Sequence, residues 1–335
     1  MAHELEIGNN GEVAFALRGA PAWHKLQNVT LAEDAKISTA EMLSLAHLDN
    51  WNVRLEPVVM PEGYRTAEPQ FMTVRTNPFD GGSDVLGFVG KRYLELQNEQ
   101  AFEFADNILD GGAEWDTAGS IKNGKQVFGS LVIPKEFTLD PSGANDVTKT
   151  YLLIHTSHDG STAISANITP VRVVCQNTLN MALGRSPQSF KVRHTQTVDG
   201  RLAEARRVLG LTFSHMDNFQ AEAQKLFETK VTDDAFTNLI TKFYAEPEDG
   251  ASKTSQTRYE NKIDLLQDLW KNSLTNANIK NTAWGVLNTM TERIDYYRTG
   301  RGASDAIIGA ASGFDPVVNA EKNKIFKMVQ ELANA

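Results

Sequence analysis

Up to about position 198, short runs suited to strands are punctuated by helical ones; beyond it the apolar spacing is helical throughout. After a loop-like start around "GAPAWHKLQ", the run "STAEMLSLAHL" predicts a helix. Ser38 or Thr39 can cap it, and Glu41 or Glu33 adds first-turn charge. Strands are predicted in "WNVRLEPVV", "QFMTVRTN" and "DVLGFVGKRYLEL", the last two joined by the turn "NPFDGGS". Next comes a helix, "NEQAFEFADNILD", with Phe102, Ala105, Ile108 and Leu109 on one side and a stop at Gly111-Gly112. A second β region holds two hairpin signals, Asn123-Gly124 and Asp159-Gly160, and closes on the helix "QNTLNMALG".

From 199 onward, helices are predicted over 199–211, 216–229, 232–245, 258–273, 280–298 and 316–333. The stretch Glu246-Pro247-Glu248-Asp249-Gly250 reads as a solvated acidic linker, and 299–314 as a Gly/Ser loop. The expected fold is α+β: an antiparallel β-sheet body with packed helices, followed by a largely helical C-terminal part. The expected domains are a core over 1–198 and a helical region over 199–335.

Composition narrows the class. With 335 residues, 41% hydrophobic and 22% charged, the chain can bury a sizeable core. No run approaches the roughly 18 consecutive apolar residues of a membrane helix, and the acidic, polar start is unlike a secretory signal. A single cysteine excludes an internal disulfide framework and a Cys-based zinc cluster, so a cytoplasmic location is expected. The net charge of −9 argues against bulk attraction to nucleic acid and leaves room for a local basic strip.

Four places carry candidate chemistry. Cys175 follows "VRVV", where alternation sets Val171, Val173 and Cys175 on the core face, so it reads as a small buried hydrophobe rather than a nucleophile; nothing fixes His194 against it. In "HTSHD", a strand over 151–158 would point His155 and His158 to opposite faces, which favours hairpin residues over a metal site with Asp159. Asn177 and Thr178 open a helix after a strand, either as local caps or as amide donors for an anion, with Arg172 on the face opposite the core. On a helix, Trp284, Asn288, Glu292 and Asp295 share one face. An acid/base or Mg²⁺ site is conceivable there, but such a row more often packs and pairs with arginines.

The strongest local signal is basic. Arg185, Lys191, Arg193, Arg201, Arg206 and Arg207 stand against Asp199 and Glu204, with Ser186, Ser189, Thr195 and Thr197 interspersed. Phosphate backbones are held by such mixtures. Lys91-Arg92-Tyr93, at the end of the third predicted strand, adds a second strip with an aromatic for base stacking.

"PAWHKLQ", "RVVCQNTLNMAL", "KVRHT" and "NTAWGVLNTMTERIDYYR" together resemble the phage/plasmid-like proteins grouped under a domain of unknown function, number 932. The resemblance runs from about Trp23 to Arg298, with one departure, Gln27, where a glycine is expected after the Trp-His pair. It implies carriage by phages, prophages or plasmids, often near replication, recombination or anti-restriction genes, in a bacterial host cytoplasm. The element order, with "NW" opening a strand and "AFEFADNIL" on a helix, is also similar to phage single-strand annealing proteins, which assemble into rings.

The expected function is therefore single-stranded DNA binding or annealing by a homo-oligomer, with no cofactor and no metal. Arg172, Arg185, Lys191, Arg193, Arg206 and Arg207 would hold phosphates, Lys91, Arg92 and Tyr93 would line the path, and Asn177 and Thr178 would offer helix-end donors. The alternative is a non-enzymatic protein that engages a host or phage protein in defence or anti-restriction, since acidic surface such as Glu246, Glu248 and Asp249 can mimic DNA.

Overall fold

The computed structural model describes residues 5–9, 11–19, 30–32, 34–63, 68–172, 189–191, 198–297 and 316–334. Seven strands form one sheet in the order β10-β9-β8-β7-β6-β1-β2. These are β1 (Phe15–Arg18), β2 (Thr30–Leu31), β6 (Glu114–Ile121), β7 (Gln126–Leu139), β8 (Asp146–Ser157), β9 (Ser165–Arg172) and β10 (Ser189–Lys191). A second sheet has the order β3-β4-β5, from β3 (Arg54–Pro57), β4 (Gln70–Thr76) and β5 (Ser83–Gly90), all antiparallel. The helices are α1 (Thr39–Leu45), α2 (Asn98–Phe102), α3 (Ala105–Leu109), α4 (Val198–Glu228), α5 (Asp233–Phe243), α6 (Lys253–Asn272), α7 (Ala283–Tyr297) and α8 (Pro316–Asn334). The fold is α+β, with the long helices in the C-terminal half. Among the described residues no helix is long and apolar enough to cross a membrane.

Local chemistry explains most boundaries. Ser38 accepts from the Glu41 amide, and Glu41 accepts from the Ser38 amide at 2.9 Å, a reciprocal cap that starts α1. The neighbouring Ser38 donors hold the Glu41 carboxyl below its usual range. The expected first strand is cut to four residues, and its late start follows from Asn50 and Asn52, which take φ of +57° and +45° around the buried Trp51. Residues 98–110 form two short helices in place of one, interrupted at Glu103-Phe104. The predicted helices over 199–211 and 216–229 are one continuous α4. Its buried Val208, Thr212, His215, Met216, Phe219, Ala223 and Leu226 keep helical spacing through the expected break.

The chain groups into two compact units by contact. Unit 1 comprises 1–134, 151–168 and 189–213; unit 2 comprises 135–150, 169–188 and 214–335. The boundaries at 134/135, 150/151, 168/169 and 213/214 fall within β7, β8, β9 and α4.

In unit 1 the core includes Phe15, Trp51, Phe102, Trp115, Phe128 and Leu131, with Phe102 edge-on to Trp115. A fully buried arginine, Arg75, sits beside it. Its guanidinium is bonded to both oxygens of Glu6 and to Asp84, and lies 4.1 Å from the Trp51 ring centroid. Glu6 also accepts from Ser120 Oγ, and Asp84 from Asn77 Nδ2. The β6–β7 turn passes over this group at Gly124. Its φ is +80°, and a Cβ there would fall 2.2 Å from Arg75 Nη1, so only glycine fits.

In unit 2, α7 is buried almost all round. Trp284 meets Phe219 edge-on and donates its indole N–H to Asp146 at 2.8 Å; Phe137 meets Phe219 from another side. Phe236 stacks on Trp270 at 4.5 Å, and Trp270 donates to Asp233.

Candidate nucleic-acid interface

Lys91-Arg92-Tyr93 and Lys191, about a hundred positions apart in sequence, are linked in unit 1 through one turn. Gly160, with φ of +79°, lies within the β8–β9 connection, and a Cβ on it would lie 3.2 Å from Val89 and 3.8 Å from the Tyr93 ring. Gly87 of β5 lies equally close to Asp159, where a Cβ would fall 2.6 Å from its Cα. Thus the end of β5, with Lys91-Arg92-Tyr93 directly after it, rests on this turn. Five residues after Gly160, Ser165 pairs with Lys191 of β10. Five extended residues span at most about 17 Å, and paired strands are about 5 Å apart. Arg207 of α4 donates to the Lys191 carbonyl at 3.0 Å and pairs with Glu204 at 2.6 Å, tying α4 to the sheet edge.

The individual residues differ in what they offer. Arg92, Lys191 and Arg206 are exposed, and none has a carboxylate partner among the described residues. Lys91 is exposed with Glu68 3.9 Å away. Arg207 is committed: its contacts with Glu204 raise its pKa, and it acts as a strut that positions Lys191 and Arg206 rather than as an open phosphate contact. Tyr93 lies in the turn after β5, since the strand ends at Gly90 rather than running to Leu96. It donates weakly to the Ser157 carbonyl at 3.5 Å, and burial, with Asp159 and Glu95 nearby, pushes its hydroxyl up to about 12. It remains a neutral phenol packed on the turn. Arg172 stands at the end of β9, and Cys175, Asn177, Thr178, Arg185, Arg193 and His194 lie outside the described residues.

The other candidate chemistry has structural roles. β8 begins at Asp146 and ends at Ser157, so His158 lies in the turn and not on the strand. His158 is buried, bonds Asn98 Oδ1 at 2.8 Å through Nε2, and tilts against Trp51 at 5.5 Å. Burial lowers the pKa of both His155 and His158 to about 4, helped at His158 by Arg75. Asp159 is held below its usual range by bonds to Ser161 and Ser157, against the opposing effect of partial burial. Among the described residues no group of three or more His, Cys, Asp or Glu side chains could hold a metal ion.

The row on α7 is buried and internally bonded. Glu292 accepts from Ser273 at 3.1 Å, Thr275 at 3.1 Å and Asn276 at 2.8 Å; Asn288 donates to the Trp284 carbonyl. Asp295 pairs at 2.6 Å with Lys322, both fully enclosed. The row is structural, and its cation is a lysine of α8 where the sequence suggested arginines.

Sequence reasoning passed over Arg75 and Lys322. Alternation gives no signal for Arg75, because Val74 beside it on the opposite face of β4 is buried as well. No curated protein and no solved structure matches this chain. The model of a family described as a domain of unknown function, DUF932, matches residues 85–323, a span that takes in the β8–β9 turn, both basic strips and the α7 row, and the chain belongs to this family.

Proposed function

We propose that the protein binds single-stranded DNA through unit 1 as a homo-oligomer, in recombination or replication of a phage or plasmid within a bacterial cytoplasm. The observation that supports the reading is a link along the chain: Lys91 and Arg92 follow the strand that rests on the β8–β9 turn, Lys191 pairs with Ser165 five residues beyond Gly160, and Arg206 neighbours the arginine that binds the Lys191 carbonyl. In a chain of net charge −9, exposed cations such as Arg92, Lys191 and Arg206, which have no carboxylate partner among the described residues, are suited to a backbone of phosphates. Arg207 contributes indirectly by fixing the sheet edge to α4.

The test is fluorescence anisotropy of a labelled single-stranded oligonucleotide across a salt series. Wild-type affinity is expected to fall linearly on a log–log plot. Each alanine at Arg92, Lys191 or Arg206 should flatten the slope by about 0.7, the contribution of one phosphate contact on a single strand. No binding at low salt overturns the reading. Weight then passes to a protein partner in host defence, favoured by the exposed acidic loop with Glu246, Glu248 and Asp249, and checked by stoichiometric recovery of one defence protein from host lysate.

A further inference from the structure

We infer that β5 is the contact strand of a two-fold pairing between two copies of this chain. The inference deepens the homo-oligomer part of the proposed function, rests on that part alone, and is independent of DNA binding. β5 is an edge of the three-stranded sheet, and its eight residues, SDVLGFVG, include neither proline nor lysine. An edge strand offers a row of unpaired amides and carbonyls, and proteins commonly blunt such edges with proline, lysine or a bulge; of these β5 carries only the bulge at Leu86. The opposite edge is blunted: β3 has four residues and ends at Pro57.

The side chains of β5 make the edge self-complementary. Val74 pairs with Val85 and Met72 with Phe88, while Leu86 is the extra residue of a bulge. Met72 and Val74 share a face of β4, so Val85 and Phe88 share a face of β5 despite being three apart. That face turns away from the Asp159-Gly160 turn; Val74 on the central strand is covered, but at the edge Phe88 is 65% exposed and Val85 48%. Single exposed apolar residues are ordinary, but two on one unpaired edge form a contact surface.

Antiparallel pairing of the whole strand with a second copy sets Val85 against the partner's Phe88 and Phe88 against the partner's Val85. Each is an aromatic–β-branched pair of the kind that stabilises sheets. Asp84 then faces the partner's Val89, and Ser83 the partner's Gly90, so no like charges oppose. Across the same face Arg54 and Glu56 bond each other at 2.9 Å, which leaves it neutral. A neutral apolar face gives a polyanion no charge to seek; a second copy fits it. The contact is isologous and closes as a dimer.

The experiment is sedimentation velocity of the full chain over a concentration series, with Phe88→Lys and Val85→Lys. Wild type is expected to show a dimer or an even multiple, and each variant a dimer dissociation constant raised about tenfold or more, because each lysine then sets a charge against the partner's apolar Val85 or Phe88 across the seam. Far-UV circular dichroism checks folding; if one variant fails to fold, the other carries the test. A wild type that stays monomeric, or an assembly indifferent to both substitutions, overturns the inference. Anisotropy on the same samples separates the two readings: a monomer that binds oligonucleotide sinks the pairing and keeps the DNA reading, whereas a dimer that β5 variants dissociate, without DNA affinity, does the reverse.

Discussion

Arg75 in unit 1 and Lys322 in unit 2 are both fully buried cations, yet they organise their surroundings differently. The flat guanidinium of Arg75 gathers Glu6, Asp84, the Trp51 ring and the Gly124 turn, all from separate segments. The ammonium of Lys322 is a point charge, and its pair with Asp295 joins α8 to α7. An arginine fork can fix several chain segments at once, whereas a lysine pins two. Unit 1 is thus centred on a polar hub that ties its small sheet to the N-terminal segment, while unit 2 is centred on aromatic packing with one enclosed ion pair.

The largest effect should come from breaking the hub. Arg75→Met leaves Glu6 buried without its cation and removes the Trp51 contact; a loss of about 3–5 kcal/mol is expected, read as a lowered urea midpoint. Because two carboxylates share this arginine, neutralising either one alone should not restore stability. Lys322→Met should cost a similar amount, about 3–5 kcal/mol, through Asp295. Here the double variant Lys322→Met/Asp295→Leu should recover most of the loss, since a buried pair replaced by apolar groups is often near neutral. If the Arg75 variant is rescued as readily by one partner, the contrast fails.

Acid provides a third, smaller handle on unit 1. His155 and His158 are neutral in the folded state with pKa values near 4, while in the unfolded chain they titrate near 6.5. Below 6.5 the unfolded state therefore binds protons that the folded state does not, and stability falls between pH 6.5 and 4 by up to about 3 kcal/mol per histidine. Thermal melts of His158→Gln, which can still bond Asn98, should show a shallower decline than wild type over that window. The smallest effect is expected at Lys135. Its contact with Asp217 is as short as the Lys322 pair, 2.6 Å, but both ends are solvated. Lys135→Ala should change stability by no more than about 0.5 kcal/mol, showing that burial and not distance sets the scale.

Much of the secondary structure was legible because its signals are local. Asn123-Gly124, Asp159-Gly160 and the Ser38–Glu41 pair each act within four residues, and each marks a turn or cap in the structure. The hub was not legible, because Glu6 and Arg75 lie 69 positions apart and apolar patterning is silent about a buried ion pair. The link between Lys91-Arg92 and Lys191 was equally hidden: each group was visible, but the turn that joins them depends on the β5 backbone passing Asp159 at a glycine. Arg207 illustrates the limit of composition, since only geometry shows its charge spent on Glu204.

The two interleaved units constrain how the protein is made. The chain passes from one to the other five times, so no single cleavage releases either as a continuous piece. On the ribosome, unit 1 has all its segments only after residue 213 has emerged, by which time 135–150 and 169–188 have been synthesised and await the last third of the chain. A nascent chain stalled near the expected boundary at 198 would thus present both units incomplete, with their apolar strands open to whatever chaperone is at hand.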